Sequence, residues 1–584
     1  MAQNQSGRKN TSLRDGIILW LSIIGLLACI AVLFPQVRRM IMDLAAQIVH
    51  KEISTYQSWF NVLLSYAMGS IFFILFFDYC FFTGSGKNLV RKVKLEIKDC
   101  LSEIDYKTFV KPVLLMSLIY LLGMLTIIRA NFSYMDDLAR SVVGARGWYN
   151  WSRHISEFSS ILLYGNTNLT DISPLPQLLA ILILALSSVL LVYIIGNKKI
   201  TVVRLLASIP LGLSPFFLEC LAFKFDAPYM ALSILASIFP FLFYTRKKAF
   251  FLISAVSLLV MCMTYQASSG IYMIIVVILC FRLWNNGEKT NKEIFSLLGI
   301  AVSAFCFAML FFRFFLMKSF TEEESGYVSS SMHSASHIVI GTLVNIKDYA
   351  LTIIHDFSMI WIAGIVLVLL LFIVQSSLHT AQKKIASSVV STLAICLSFI
   401  VSYGTYSLLR IPSYDPRALV GFGVFLAGLC IYVVLDYKKP AIVTVLALNW
   451  CFFAFAFSYG NALADQARYA EFRVGILLHD LSALYPDRNR DEMSFQLRNS
   501  IDFAPSITNI SKHYPVIEKL IPKRLDTKTV WGSYYYLEFF NFSYYRNVSY
   551  DTDGFDALNL PVVSDSYYHT IQSDGTHVLI TLKH

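Results

Sequence analysis

Long apolar runs recur along most of this chain, among them Ile17 to Phe34, Val113 to Ile128 and Ala441 to Phe457, and they restrict its fold more than any other feature. As helix, at about 1.5 Å per residue, such a run is long enough to cross the roughly 30 Å of bilayer hydrocarbon. Of the 584 residues, 56% are hydrophobic and 15% charged, where a soluble domain carries about a quarter charged residues. Lipid, rather than one very large core, accounts for the runs. They predict spans near 16–35, 59–82, 112–128, 176–196, 201–217, 227–245, 249–263, 270–284, 294–316, 353–375, 387–408, 419–436 and 440–458, about thirteen in all. The first follows Arg8, Lys9 and Arg14, but it is too long for the apolar part of a signal peptide. Val32-Leu33-Phe34-Pro35 is no small-residue cleavage site, so the run reads as a retained helix.

Alternate short loops carry the Lys and Arg: Lys87, Arg91, Lys92, Lys94 and Lys98; Lys198 and Lys199; Arg246, Lys247 and Lys248; Lys383 and Lys384; Lys438 and Lys439. By the positive-inside rule these loops and the N-terminus are cytoplasmic, and residues 460–584 lie outside; Arg38 and Arg39 run against the rule. The net charge of +10 therefore reflects topology and anionic headgroups. No basic patch with interleaved aromatics speaks for nucleic acid. Two stretches, Val37, Met40, Ile41, Leu44 and Ile48, and Val90, Val93, Ile97, Leu101 and Ile104, have helical apolar spacing and read as interfacial helices. Three parts follow: 1–111 with two spans and these helices, a 112–460 membrane core, and a 461–584 C-terminal domain. That domain opens with a helix near 462–484, contains none of the ten cysteines, and reads as small mixed α/β.

The outer loops hold the chemistry. The loop of 129–175 combines Asp136, Asp137 and Arg140 with Arg146, Trp148, Trp151 and Arg153. A carboxylate of the Asp pair can act as general base toward a hydroxyl. Arginines suit a phosphate, because the guanidinium fork matches its oxygens and never loses charge. The alternative, left open by pattern alone, is a capping box from Ser133 to Asp136 that opens a surface helix. A second outer turn places Glu219 and Asp226 at the membrane edge, where ionisable groups mark function. A third holds Tyr265 and Gln266, either a sugar contact or a tight polar turn. A fourth brings Arg410, Asp415 and Arg417 to one helix end, as phosphate ligands or as a surface pair of small worth. In the loop read over 317–352, Glu322, Glu323 and Glu324 precede His333 and His337, whose spacing suits a metal but lacks a third ligand, so a mobile solvated loop is favoured over zinc. No Walker loop, dinucleotide fingerprint or Gly-x-Ser-x-Gly elbow is present, so the energy must arrive with the substrate.

Four motifs, Tyr134-Met-Asp136-Asp137-Leu-Ala-Arg140 with Gly147-Trp148 and Arg153, Thr170-Asp171-Ile-Ser-Pro174-Leu, Pro215-Phe-Phe-Leu-Glu219 through Phe225-Asp226, and Tyr265-Gln266-Ala, carry a resemblance. The stretch from about 112 to 460 resembles the phage- and bacterium-encoded Gtr type II glucosyltransferases, polytopic GT-C enzymes that decorate lipopolysaccharide O-antigen. The resemblance implies a multi-pass enzyme of the bacterial inner membrane that moves a hexose, glucose by expectation. Undecaprenyl phosphate would be the carrier, and lipid-linked O-antigen on the periplasmic face the acceptor. It implies Asp136 or Asp137 as the catalytic carboxylate, taking the acceptor hydroxyl proton or steadying positive charge on the sugar ring, with Arg140, Arg153, Arg410 and Arg417 toward the donor phosphate and Glu219, Asp226, Tyr265 and Gln266 around the sugar. No cofactor is required, although the Asp pair leaves room for Mg or Mn. The rivals are a like enzyme for another sugar or acceptor, and a non-enzymatic lipid-sugar flippase, which internal repeats would favour.

Overall fold

A computed structural model describes residues 84–318, 328–334, 336–436, 438–486, 493–526, 530–540, 548–549, 555 and 558–583. The spans expected at 16–35 and 59–82, the stretch from Val37 to Ile48, and Glu322 to Glu324 lie outside the described residues. The described chain divides into two compact units: residues 84–105, 240–259 and 299–318 form one, and 106–239, 260–298 and the remainder to 583 form the other. In the first, the basic segment with apolar spacing is a helix, Gly84–Ser102. It is tied down by Glu96, which accepts a hydrogen bond from the Ala249 backbone N–H (2.9 Å), and by Glu103, which pairs with Arg246 (3.0 Å).

Among the described residues, nine helices are long and apolar enough to cross a membrane: Lys107–Ala130, Leu175–Ile195, Gln266–Asn285, Asn291–Leu316, Ile338–Asp356, Met359–Leu378, Lys384–Ser402, Pro416–Val433 and Lys439–Leu484. A bent pair, Val202–Leu213 and Pro215–Ala222, makes ten if it is one span. This set differs from the expected thirteen. The runs at 227–245 and 249–263 form shorter helices, Ala227–Phe243 and Lys247–Cys262. In the first of these, Pro240 falls in a tightened 3-10 turn because proline cannot donate into the helix ladder.

Close approach holds the second unit together. A Cβ on Gly212 would stand 2.7 Å from the Tyr120 ring, so only glycine lets the Lys107–Ala130 helix pack here. Beside it the Tyr120 and Ser188 hydroxyls bond at 2.6 Å, one of the interhelical polar links expected where lipid gives no hydrophobic drive between helices.

One expectation is corrected. Within the loop read over 317–352, residues from 338 onward form a helix, Ile338–Asp356. Its polar residues misled the reading because they face inward: Asn345, Tyr349 and Asp356 are buried, whereas Val339, Ile340, Leu343, Leu351 and Ile354 are exposed. Asn345 donates to the carbonyls of Ser407 (2.9 Å) and Leu409 (2.8 Å), and Tyr349 bonds Ser402 (2.7 Å). At its far end Asp356 pairs with Lys519 (2.7 Å). Its first half thus engages the 407–409 segment and its last residue Lys519. His333 and His337 flank its start; His337 Nδ1 lies 3.1 Å from the Ser334 hydroxyl and His333 Nε2 3.4 Å from Asn345.

The helix expected near 462–484 is continuous with the last span as Lys439–Leu484, 46 residues and about 69 Å long, twice what hydrocarbon needs. Its distal part packs Ala470, Val474, Leu477 and Leu481 against a small mixed sheet. The strands are β1 (Ser494–Arg498), β2 (Val548–Ser549), β3 (Val562–Asp565), β4 (His569–Ser573) and β5 (His577–Leu582), ordered β2-β1-β5-β4-β3. β1 runs parallel to β2 and β5, and β4 antiparallel to β3 and β5. Leu138, from the 129–175 loop, is buried in the same core.

Candidate active site

The two adjacent acids have opposite environments. After Met135, at φ 36°, the chain turns into the short helix Asp136–Val143. The Asp137 side chain folds back to accept the Tyr134 N–H (2.9 Å) and reaches across to the N–H groups of Lys224 (3.0 Å) and Phe225 (3.4 Å). It therefore ties together the loops that carry Asp136 and Asp226. Burial pushes its carboxyl up to about 6, against the pull of Lys224 and Arg140. Asp136 is 58% exposed, 3.9 Å from Arg140 Nη2, and open to a substrate. The capping box does not form: the helix has no side-chain cap, and the Ser133 hydroxyl faces Lys224 instead.

Asp226 is the second centre. It accepts from Arg140 and from Trp148 Nε1 (2.5 Å), and Arg153 Nη1 lies 3.7 Å away. The Arg140 guanidinium stacks 4.3 Å over the Trp148 ring and that of Arg153 4.8 Å over Tyr265. These contacts consume Arg140 but not Arg153: Arg153 Nε, Arg146 Nη1 and the Tyr164 hydroxyl are buried without hydrogen-bond partners. Buried donors left unmet are costly; Arg146 meets part of its charge through Glu157, 3.1 Å from Nε. Gln266 joins the same wall, donating to the Trp151 carbonyl (2.9 Å).

The third centre is Glu219. Ser214 is extended and Pro215 begins a new helix, so the chain bends by 60° between Val202–Leu213 and Pro215–Ala222. The bend aims Glu219 at Arg417, whose backbone N–H (2.6 Å) and Nη1 (3.4 Å) it accepts. Arg417 also pairs with Asp415 (3.2 Å), and its carbonyl accepts from the Tyr265 hydroxyl (3.1 Å). Arg410 stands apart: it is exposed, and its backbone N–H bonds Ser331 (2.9 Å). The structure therefore brings together Asp136, Asp137, Arg140, Arg153, Asp226, Glu219, Tyr265, Gln266 and Arg417, and leaves Arg410 outside their network.

Three contributors escaped the sequence reading as site residues. Lys224, 2% exposed, pairs with Asp171 (2.7 Å) and donates to Asn131 (3.1 Å). Leu520, far along the chain, offers its carbonyl to the hydroxyls of Tyr134 (2.9 Å) and Tyr459 (3.1 Å); the Tyr134 proton is shared with Glu219, 3.2 Å away. Arg524 donates to the Ser133 carbonyl (2.6 Å) and stacks on Phe132. Lys224 and Asp171 lay inside motifs already singled out; Leu520 and Arg524 carried no local signal.

Residues 124–435, from the end of the first described span past Arg417, match the Glucosyl transferase GtrII family. This chain belongs to that family. A Salmonella phage P22 protein, described as an uncharacterized 55.3 kDa protein in the gtrB 5' region, is 25% identical over 444 residues, covering 73% of this chain and 89% of the relative. No solved structure matches. The GtrII match encloses every acid and arginine of the three centres, but it stops before Tyr459, Leu520 and Arg524, which complete the Asp136 loop from outside it. Membership makes the chain a glycosyltransferase of the glucosyl class, built on several membrane-length helices.

Proposed function

We propose that this GtrII protein transfers glucose from undecaprenyl phosphate to lipid-linked O-antigen at the periplasmic face of the bacterial inner membrane. The observation that carries the reading is the juxtaposition, on one loop, of an open carboxylate at Asp136 and of Arg153, whose Nε is a buried, unmet donor, joined through Arg140 and Asp226; Arg146, paired with Glu157 (3.1 Å), adds a second unmet donor. The acceptor hydroxyl oxygen bonds the sugar C1 as the C1–O bond to phosphate breaks. The polyprenyl phosphate leaves with the electron pair, and the hydroxyl proton passes to Asp136. Arg153, with Arg146, meets the charge on the leaving phosphate. Arg140 and Arg417 are committed to Asp226 and Glu219 and hold the walls; Asp137 positions the loop rather than taking a proton.

The domain limits of 112–460 and 461–584 are kept in this reading, with residues 461–584 periplasmic. Support comes from the helix ends: Lys198 and Lys199 follow Leu175–Ile195, and Lys438 and Lys439 open Lys439–Leu484, each at the end away from the acids. The test compares Asp136→Asn and Arg153→Gln in membranes supplied with labelled polyprenyl-phosphate glucose. We expect Asp136→Asn to lose roughly 10²–10⁴-fold in turnover and Arg153→Gln to lose both donor affinity and turnover. Wild-type transfer in both variants would sink the assignment.

A further inference from the structure

At the end of the bundle away from these centres, a cavity of about 270 Å³ opens among the ends of four helices, Leu175–Ile195, Ser269–Asn285, Met359–Leu378 and Val420–Val433. Lys199, Arg204, Arg282, Gln375, His379 and Asp436 line it. Its frame is fixed by buried Asn285, which donates to the Ser376 carbonyl (3.0 Å) and the Tyr432 hydroxyl (3.1 Å) and accepts from Ser387 (2.7 Å).

Both arginines are at least nine-tenths buried. Arg204 donates to the carbonyls of Gly196 (2.8 Å), Lys199 (3.1 Å) and Leu435 (3.1 Å), and Arg282 Nη1 to those of Ile194 (2.6 Å) and Ile195 (2.8 Å). Glu288 lies 3.4 Å from Arg282 Nη2, and Asp436 is held by His379 (3.2 Å). Helix capping accounts for the carbonyl bonds. It leaves the Arg282 Nε donor and the Gln375 Oε1 acceptor buried, lining the cavity and without partners.

We propose that this cavity binds a phosphate group bearing a hydroxyl, the chemistry of an anionic glycerophospholipid headgroup. Lys199, Arg204 and Arg282 outnumber Asp436 and Glu288 and so favour an anion, the orphaned Arg282 donor meets a phosphate oxygen, and Gln375 Oε1 meets a hydroxyl. The volume falls below the roughly 300–1,000 Å³ of drug-sized sites, which suits a headgroup whose acyl chains stay in the bilayer. Basic pockets between spans are general sites for such headgroups. The site is independent of the sugar chemistry at the other end.

The full chain, purified in neutral detergent, is titrated with phosphatidylglycerol, phosphatidylcholine or inorganic phosphate while its thermal unfolding midpoint is followed. Phosphatidylglycerol should raise the midpoint and phosphatidylcholine should not. Arg282→Gln should weaken the response about fivefold, one basic residue's worth. Because Arg282 also caps a helix, Lys199→Glu, at an exposed position, provides a variant that folds, and it should weaken the response at least as much. Lys94→Glu, on the exposed face of Gly84–Ser102, should respond as wild type. An equal rise with inorganic phosphate alone would confirm the anion site and make its ligand a free phosphate. Equal responses to the two lipids, a wild-type response from Lys199→Glu, or an equal loss from Lys94→Glu would overturn the proposal.

Discussion

Asp136 and Asp137 show how one peptide step separates two carboxylates chemically. Asp137 accepts three backbone N–H groups from two loops, whereas Asp136 faces outward. The Asp137 carboxyl, ordinarily near 3.8, is raised to about 6 by burial, so the folded state holds its proton where the unfolded chain has released it. The sign follows: this group's contribution to stability is largest below about pH 4, falls as pH rises to about 6, and is flat above. Asp137→Asn should remove that fall, so the difference in unfolding midpoint between variant and wild type should change across pH 4–6 and stay constant above pH 7. A difference independent of pH over that window would contradict the burial argument. Transfer in Asp137→Asn should also fall, and conditions that restore the fold should restore it in part, which they should not do for Asp136→Asn.

At the scale of elements, the C-terminal segment is bonded into the Asp136 loop. Arg524 holds the Ser133 carbonyl, three residues ahead of Asp136, and Leu138 is sealed in the core of the mixed sheet. Arg524→Gln removes a charge-assisted bond at a partly buried carbonyl, expected to cost about 1.5–3 kcal/mol. It should lower turnover more than donor affinity, with partial rescue in Arg524→Lys. A changed affinity at unchanged turnover would place Arg524 elsewhere. The membrane helices and the mixed sheet were legible in the sequence because apolar runs and strand-rich composition are local signals. The Asp136 loop was legible because acids and arginines cluster within it. The Ser133–Arg524 bond joins residues 391 apart, and Lys224 finds Asp171 across 53; lone basic residues with such distant partners leave no pattern. The Ile338–Asp356 helix was missed for a different reason. Its polar face is turned to protein and its apolar face outward, the reverse of a soluble helix, so Asn345 and Tyr349 read as loop residues.

For the whole molecule, the account requires the three acidic centres and the basic helix ends to lie on opposite sides of one membrane. A cysteine at exposed Thr170 should react with an impermeant thiol reagent from the periplasm, and one at exposed Lys199 only after the membrane is opened; the reverse pattern would invert the orientation. The proposed donor is a sugar on polyprenyl phosphate, and the buried, unmet donors of Arg153 and Arg146 are the groups proposed to meet its phosphate. The most direct measurement gives the purified full-length protein labelled glucose either on polyprenyl phosphate or on a nucleotide, with lipid-linked O-antigen as acceptor. The account predicts incorporation of label from polyprenyl phosphate alone, abolished in Asp136→Asn. Incorporation from the nucleotide sugar, or undiminished transfer in Asp136→Asn, would contradict it.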